Sequence, residues 1–265
     1  MFNSLLPSLF LFIFANFTDS SKSFRLVPVE LTPEPGYVEL TIQYPEDDEL
    51  KNSLPILVQV RVEGYPLGIE TEIQRRKEIR ACNKGQTIRV VVDDNPYILL
   101  NEDNAPTDAF DNHDAYFRQS VETKIKSNIK QGDHLIRVYP AYSYGEAVRG
   151  DGCFNASTFC FKKSGISKIN IKDPMITYNE PQGVFSSSQP VLLDFLTHNC
   201  SLSKDGYKVR LIIDGKMMEE LTNSLPYYMH GLSKGSHTIK LELIDRSGKA
   251  INKPFTSPSR TITIR

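Results

Sequence analysis

The stretch that decides the fold is Ile129-Lys130-Gln131-Gly132-Asp133-His134-Leu135-Ile136-Arg137-Val138, because it returns as Leu232-Ser233-Lys234-Gly235-Ser236-His237-Thr238-Ile239-Lys240-Leu241. A second matched pair, residues 88–94 and 209–215, precedes the two copies in the same order along the chain. An internal repeat of this kind indicates tandem copies of one structural unit. We therefore predict two modules that share one fold.

Both modules show the hydrophobic pattern of β-strands. From residue 38 onward the hydrophobic period is near two, and turn residues interrupt it at the spacing typical of an all-β sandwich. The predicted strands are 38–44, 56–62, 87–92, 117–124, 134–139 and 158–161 in the first module, and 176–178, 191–196, 208–213, 227–229, 237–244 and 261–264 in the second. The two sets correspond strand by strand, which predicts two tandem antiparallel β-sandwich domains.

The second copy of the repeat carries the pattern Leu232-x-x-Gly235-x-His237-Thr238-Ile239-x-Leu241-x-Leu243-x-Asp245-x-x-Gly248. This pattern resembles the penultimate strand of immunoglobulin-like and fibronectin type III-like modules, especially those of bacterial envelope proteins. A glycine allows a positive-φ turn before the strand, and alternate residues of the strand then face the core between the two sheets. The resemblance implies an architecture and no particular substrate, because these folds carry many functions.

Histidines stand at the strand corner where the fibronectin-like pattern often has a tyrosine that pins the corner by a hydrogen bond. We predict that a ring nitrogen of His134 and of His237 makes a similar bond. Each histidine occupies the same position in its own module. This favours two structural residues over one shared ligand site.

The first residues predict export. The apolar stretch 5–17 has the length of a signal peptide and is too short to cross a hydrocarbon core of about 30 Å as a helix. We predict a signal peptide over 1–23, a first immunoglobulin-like domain over 24–165 and a second over 172–265. A buried N-terminal strand or helix is the alternative. The mature chain is expected to be periplasmic, envelope-associated or secreted, without a transmembrane anchor.

Composition and motifs favour a binding or structural role without catalysis. A formal net charge of −1 disfavours nucleic acid, whose binding needs phosphate neutralisation. The serines at 186–188 lack the strand–turn–helix context of a nucleophile, and we predict no metal site and no cofactor. The expected partner is a protein or a glycan. The alternatives are an accessory subunit or cryptic hydrolase that uses carboxylates of an acidic insertion at residues 101–114, and an assembly factor that binds by strand addition.

An acidic insertion, residues 101–114, distinguishes the first module from the second, and long loops in compact domains are often functional. Aromatic residues between its charges suggest a partner-binding tip. The candidate residues there are Asp108, Phe110, Asp111, His113, Asp114 and Tyr116. A solvated acidic loop is the simpler interpretation. A calcium site built from Asp103, Asp108, Asp111 and Asp114 is another, because calcium takes carboxylate oxygens.

Two further predictions concern the end of the first module. Period-two spacing places Tyr142 and Tyr144 on one face, where they either pack in the core or form a polar-aromatic contact surface beside Arg149. Cys153 and Cys160 are close in sequence and flank a possible turn, so they are the candidate disulfide. Cys82 and Cys200 are expected to remain free thiols.

Overall fold

The structure is a computed structural model that describes residues 23–73, 77–79, 84–104 and 118–265. Its strands are β1 (Arg25–Pro28), β2 (Glu39–Tyr44), β3 (Glu49–Lys51), β4 (Ile56–Glu63), β5 (Thr87–Val92), β6 (Ile98–Leu100), β7 (Arg118–Ile125), β8 (Gly132–Ala141), β9 (Asn155–Phe161), β10 (Met175–Glu180), β11 (Gly183–Phe185), β12 (Val191–His198), β13 (Lys208–Ile213), β14 (Lys216–Leu221), β15 (Tyr227–His230), β16 (Gly235–Ile244) and β17 (Ser259–Ile264). A short 3-10 helix spans Glu102–Asn104. No helix in these described ranges is long and apolar enough to cross a lipid bilayer.

The strands form four sheets whose topology repeats. The first sheet pair has the strand orders β2-β4-β7 and β3-β9-β8-β5-β6, and the second has β1-β15-β12-β10 and β11-β17-β16-β13-β14. Apart from β1, the second sheet pair copies the first strand for strand. In both pairs one short strand, β3 or β11, runs parallel to the last strand, whereas the other pairings are antiparallel. The predicted all-β, immunoglobulin-like antiparallel sandwich fold is confirmed.

Period-two burial explains why these residues form sandwiches. In β4, the side chains of Val58 and Val60 are fully buried, while Gln59 and Arg61 between them are partly exposed. Such alternation buries one face of a sheet and leaves the other in water. The first core lies between the two sheets of the first pair, and the second core between those of the second pair.

The histidine corners are built as the sequence predicts. His134 Nδ1 lies 2.8 Å from Asp93 Oδ2, and its Nε2 lies 2.7 Å from the Lys130 carbonyl oxygen. His237 makes the same two contacts, 2.7 Å to Asp214 Oδ2 and 2.8 Å to the Ser233 carbonyl oxygen. The predicted corner hydrogen bonds are therefore confirmed in both copies.

The N-terminal strand corrects the predicted start of the first domain. The predicted first domain begins at residue 24. In the structure, however, β1 pairs with β15 in the second sheet pair, with Arg25 opposite His230. Phe24 and Leu26 are half-buried against the second core, which explains this attachment. The first core in turn includes Leu192 of β12. The division of the remaining chain into two domains stays a prediction.

Candidate functional site

The two sheet pairs meet through the outer faces of four strands, β5, β8, β10 and β12, and we call this contact the interface. In β5, Ile88, Val90 and Val92 point into the first core, so Arg89 and Val91 between them face the second sheet pair. The four strands β5, β8, β10 and β12 are buried on both faces along most of their length. A small apolar cluster of Val91, Tyr139, Ala147 and Leu196 lies within the interface.

A buried arginine from the first sheet pair binds the second. The side chain of Arg89 is 2% exposed, and its Nη2 lies 2.9 Å from Glu180 Oε1 at the end of β10. Its Nη1 donates to the side-chain oxygen of Asn179, which also accepts from the Tyr139 hydroxyl at 3.1 Å. The Arg89 guanidinium also lies 4.0 Å from the centroid of the Tyr97 ring, a cation–π contact.

A second arginine crosses the interface nearer the histidine corner. Arg137 is fully buried, and its Nη1 donates to the Ile176 carbonyl at 2.8 Å and to Thr177 Oγ1 at 3.2 Å. Its Nη2 donates to the Asp93 carbonyl oxygen and lies 3.3 Å from Asp94 Oδ1. Arg137 therefore links the end of β5 to β10.

A buried carboxylate from the second sheet pair faces the first. Asp194 of β12 has no exposed surface, and its two oxygens accept from Arg149 Nη2 at 2.5 Å, Asn179 Nδ2 at 2.6 Å and the Ala147 amide at 2.9 Å. Arg149 Nη2 also donates to the carbonyl oxygens of Phe195 and Ser224, both at 3.1 Å. Each charge is thus compensated by groups on the opposite sheet pair.

Burial changes the titration of neutral groups in the interface. Burial raises the pKa of the Tyr139 hydroxyl to about 12. Burial, reinforced by the positive charge of Arg137, lowers the pKa of His198 to about 3. His198 is therefore neutral at physiological pH, and its ring stacks on Phe154 with the centroids 3.7 Å apart.

The repeat shows what is particular to the interface. Arg210 occupies the position of Arg89 in the second copy, yet its side chain is 24% exposed and pairs with Glu220 and Glu242 on an outer sheet face. Lys240 replaces Arg137 and pairs with Glu242. The same face is therefore an interface in the first sheet pair and a solvated, charged surface in the second. Polar outer faces are typical of terminal units in a stack.

A cleft of about 530 Å³ opens beside the interface, and we call it the rim cleft. It is lined by residues 34–39 and 149–153, and a smaller cleft of about 200 Å³ lined by Phe154, His198 and Ser224 adjoins it. The ring of Tyr37 is 67% exposed there, and its hydroxyl donates to Glu39. Gly152 closes the wall tightly, since a Cβ on it would lie 2.0 Å from the Val38 carbonyl oxygen.

The predicted tip of the acidic insertion lies outside the described residues. This applies to Asp108, Phe110, Asp111, His113, Asp114 and Tyr116. At the described base of the insertion, Asp103 Oδ2 lies 2.8 Å from Lys84 Nζ on the surface. Within the described part of the chain, no three His, Cys, Asp or Glu side chains form a group that could hold a metal ion. The calcium hypothesis stays a hypothesis about the insertion.

The predicted contact surface of Tyr142 and Tyr144 is corrected. Their side chains are 5% and 2% exposed and belong to the first core, where the rings stack with centroids 5.6 Å apart. The Tyr142 hydroxyl donates to the Pro33 carbonyl at 2.9 Å, and the Tyr144 hydroxyl bonds Thr32 Oγ1. The segment before β2 covers both rings, so Tyr142 and Tyr144 pack in the core and do not form a contact surface.

The predicted disulfide is also corrected, because Cys153 and Cys160 are free thiols. Cys160 lies in β9, which begins at Asn155, and a strand rises about 3.3 Å per residue, so this part of β9 alone spans roughly 16 Å. Only Phe154 lies between Cys153 and the strand, which is too short a connection to return to Cys160, and a disulfide needs Cα atoms within about 7 Å. Cys160 Sγ instead contacts the Gly165 carbonyl at 3.2 Å.

Comparisons with known proteins show similar architectures at very low identity. Neither a protein-family profile nor a curated protein matches the chain. Fibronectin(III)-like modules of CbhA from Clostridium thermocellum match at 12% identity and a TM-score of 0.28, covering 85% of this chain and 94% of that one. The N-terminal Ig1-2 module of the Drosophila receptor protein tyrosine phosphatase DLAR matches at 9% and 0.25, covering 86% and 98%.

A third solved structure is SGBP-B of the mixed-linkage glucan utilization locus of Bacteroides ovatus, in complex with a mixed-linkage heptasaccharide. It matches at 11% identity and a TM-score of 0.21, covering 86% of this chain and 47% of that one. The solved structures similar to this chain are thus fibronectin III-like and immunoglobulin-like modules. At these scores the fold assignment rests on the sheet topology described above.

Proposed function

We propose that this protein is an exported, non-catalytic binding or structural protein of the cell envelope, in which the two sheet pairs act as one rigid body. The observation that carries the proposal is the buried interface. Arg89 meets Glu180 and Arg149 meets Asp194, each pair joining one sheet pair to the other. Buried charges are costly when separated from their partners, so any rotation of one sheet pair against the other is strongly opposed.

Rigidity is the property that a binding framework needs. A partner that contacts both sheet pairs does not have to order them first, which lowers the entropic cost of association. Flexible tandem modules are the ordinary expectation when the contact between them is small and polar. Here the contact is buried, and the ion pairs Arg89–Glu180 and Arg149–Asp194 lie within it, which supports a fixed presentation of surface groups.

We place the contact surface for a protein or glycan partner at the rim cleft. Its exposed Tyr37 ring offers a flat apolar face, and Glu34, Glu39 and Asp151 line the same cleft. Tyrosine combines apolar area with a polar tip, which suits contact with either a sugar ring or a peptide. Arg149 lines the cleft too, but its guanidinium is held by Asp194. The acidic insertion remains a second proposed contact surface.

Binding is tested with the full chain against an oligosaccharide array and against immobilised envelope proteins. Tyr37→Ala should lower binding at least roughly tenfold, the size expected of a central aromatic anchor. Tyr44→Ala is the matched control, because Tyr44 is 44% exposed on β2 and does not line the rim cleft. Equal loss in both variants, or no loss in either, would remove the rim cleft as the contact surface.

Export is tested separately. The full chain is expressed in its source cell, the envelope fraction is isolated, and the mature N-terminus is sequenced. The proposal expects a mature chain that begins after residue 23 in that fraction. An intact chain that starts at Met1 in the cytosolic fraction would contradict export, while leaving the rigid framework unaffected.

A further inference from the structure

Both corner histidines are surrounded by hydrogen-bond acceptors. His134 Nδ1 faces the Asp93 carboxylate and its Nε2 faces the Lys130 carbonyl oxygen. An ionised carboxylate and a carbonyl oxygen can only accept, so both ring nitrogens must carry a proton. His237 faces the same two kinds of group, the Asp214 carboxylate and the Ser233 carbonyl oxygen at 2.8 Å, while the Ser233 hydroxyl lies farther from Nε2, at 3.4 Å. The geometry therefore assigns the charged imidazolium form to both histidines.

The surroundings of each ring agree with a positive charge. Burial disfavours the charge of His134, but the bonds to Asp93 and to the Lys130 carbonyl and the nearby carboxylate of Asp133 raise its pKa above the ordinary value. Burial likewise opposes the charge of His237, and the Ser233 carbonyl and Asp214 raise its pKa.

The remaining neighbours of the two rings balance these charges. The Phe159 ring of β9 stacks on His134 with the centroids 5.0 Å apart. Asp133 is itself paired with Lys163 at 2.6 Å, and Asp214 lies in the field of Lys216. These lysines are bound to or near the carboxylates rather than the rings.

Only the first corner is connected to the interface. The Asp93 carboxylate holds His134, and the Asp93 carbonyl oxygen accepts from Arg137, whose other terminal nitrogen donates to the Ile176 carbonyl of β10. The second corner has no such connection through the equivalent residue, because Lys240 pairs with Glu242 on the exposed sheet face. The two histidines thus make the same kinds of hydrogen bond, but of the two corners only that of His134 is linked to an arginine that contacts β10.

We propose that His134 is a pH-sensitive joint between the sheet pairs. Its imidazolium form binds the Asp93 carboxylate and so positions the Asp93 carbonyl oxygen and the Asp94 carboxylate, which bind Arg137 and keep it in contact with β10. When pH rises and the ring loses a proton, one of its two nitrogens faces an acceptor without a hydrogen. The Asp93 turn then loosens, and with it the contact of Arg137 with β10. Loss of the proton from His237 loosens only its own corner.

The first experiment measures the protonation directly in the full-length wild-type chain. Nitrogen-15 spectra of the imidazole rings report whether one or both nitrogens carry hydrogen. The proposal expects both nitrogens of His134 and of His237 to be protonated at pH 7. A neutral His134 ring at pH 7 would overturn it without any variant.

The second experiment measures amide hydrogen-exchange protection in β10 between pH 6 and pH 9, corrected for the intrinsic pH dependence of exchange. In the wild type we expect protection in Met175–Glu180 to fall roughly tenfold as His134 deprotonates. His237→Gln, the matched control, should keep this fall, whereas His134→Gln should show low protection at every pH. Should His134→Gln fail to fold, the His237→Gln and wild-type profiles still decide. Protection in β10 that does not change with pH, or a His237→Gln variant that loses the change, would contradict the proposal.

Discussion

Truncation of Arg89 is the most informative perturbation of the interface. In Arg89→Ala the buried carboxylate of Glu180 loses the guanidinium 2.9 Å away, and Asn179 loses a charged donor. Removal of one partner from a buried pair costs about 3–5 kcal/mol, because the other charge remains buried without compensation. Total stability of a folded domain is typically about 5–15 kcal/mol, so the loss is a large fraction of it.

The repeat supplies the control for this experiment. Arg210→Ala removes the same residue type from the same position of the second copy, where the side chain is 24% exposed. Ion pairs at exposed positions contribute about 0.2–1 kcal/mol. In urea unfolding followed by circular dichroism, the midpoint of Arg89→Ala should drop by roughly 1–2 M, and that of Arg210→Ala by less than about 0.5 M. Equal shifts in the two variants would refute the argument that burial in the interface distinguishes them.

Three further predictions concern the first core, the wall of the rim cleft and the second histidine corner. Tyr144→Ala should lower the free energy of unfolding by about 3–5 kcal/mol in urea titrations, because a large buried ring is removed from the first core. A loss under about 1 kcal/mol would contradict the core position of Tyr144. Gly152→Ala should destabilise the chain by more than Gly215→Ala. Both glycines have φ near 77°, but of the two only a Cβ at Gly152 would meet a carbonyl oxygen. The positive-φ strain alone costs about 1–2 kcal/mol in each variant, so equal urea midpoints would contradict the close contact at Gly152. The pKa of His237 is raised in the folded state, so its contribution to the free energy of unfolding is complete below the ordinary pKa of about 6.5 and is lost as pH rises through the folded-state pKa. His237→Gln should therefore have a smaller difference in the free energy of unfolding between pH 6 and pH 9 than the wild type. An equal difference in the two proteins would argue against the imidazolium form.

Much of the fold could be predicted from the sequence because the repeat and the period-two pattern report on the same cores. The strands predicted at 87–92 and 208–213 have those bounds in the structure, and each of the other predicted strands overlaps an observed one. The strands that the sequence did not predict, β1, β3, β6, β11 and β14, are short or lie at sheet edges. Edge strands bury little, so their hydrophobic pattern is weak; in β14 the first four residues are exposed.

The interface could not be predicted, although its residues left a signal. Arg89 interrupts a strand whose other residues are Val, Ile and Thr, and Asp194 does the same in β12. A charged residue within a strand buried on both faces indicates a buried partner. Arg210 is flanked by apolar residues in the same pattern, however, and Arg210 is on the surface. Whether such an arginine is buried depends on how the two sheet pairs pack together. The local sequence of one repeat does not determine that packing.

The tyrosines and the N-terminal strand show the same limit. Period-two spacing places Tyr142 and Tyr144 on one face, but what covers that face is the segment around Thr32, more than a hundred residues earlier in the chain. β1 likewise meets β15 about two hundred residues away. Local patterns identify strands and faces, whereas long-range coverage is decided by the tertiary fold.

The most direct test of the rigid framework is the measurement of residual dipolar couplings for backbone amides of β8 and β16 in the weakly aligned full-length chain. One strand comes from each sheet pair. If the buried interface fixes the two sheet pairs, both sets of couplings fit one alignment tensor with the orientation that the structure gives. Two tensors of different magnitude would show that the sheet pairs move independently, and would contradict the account.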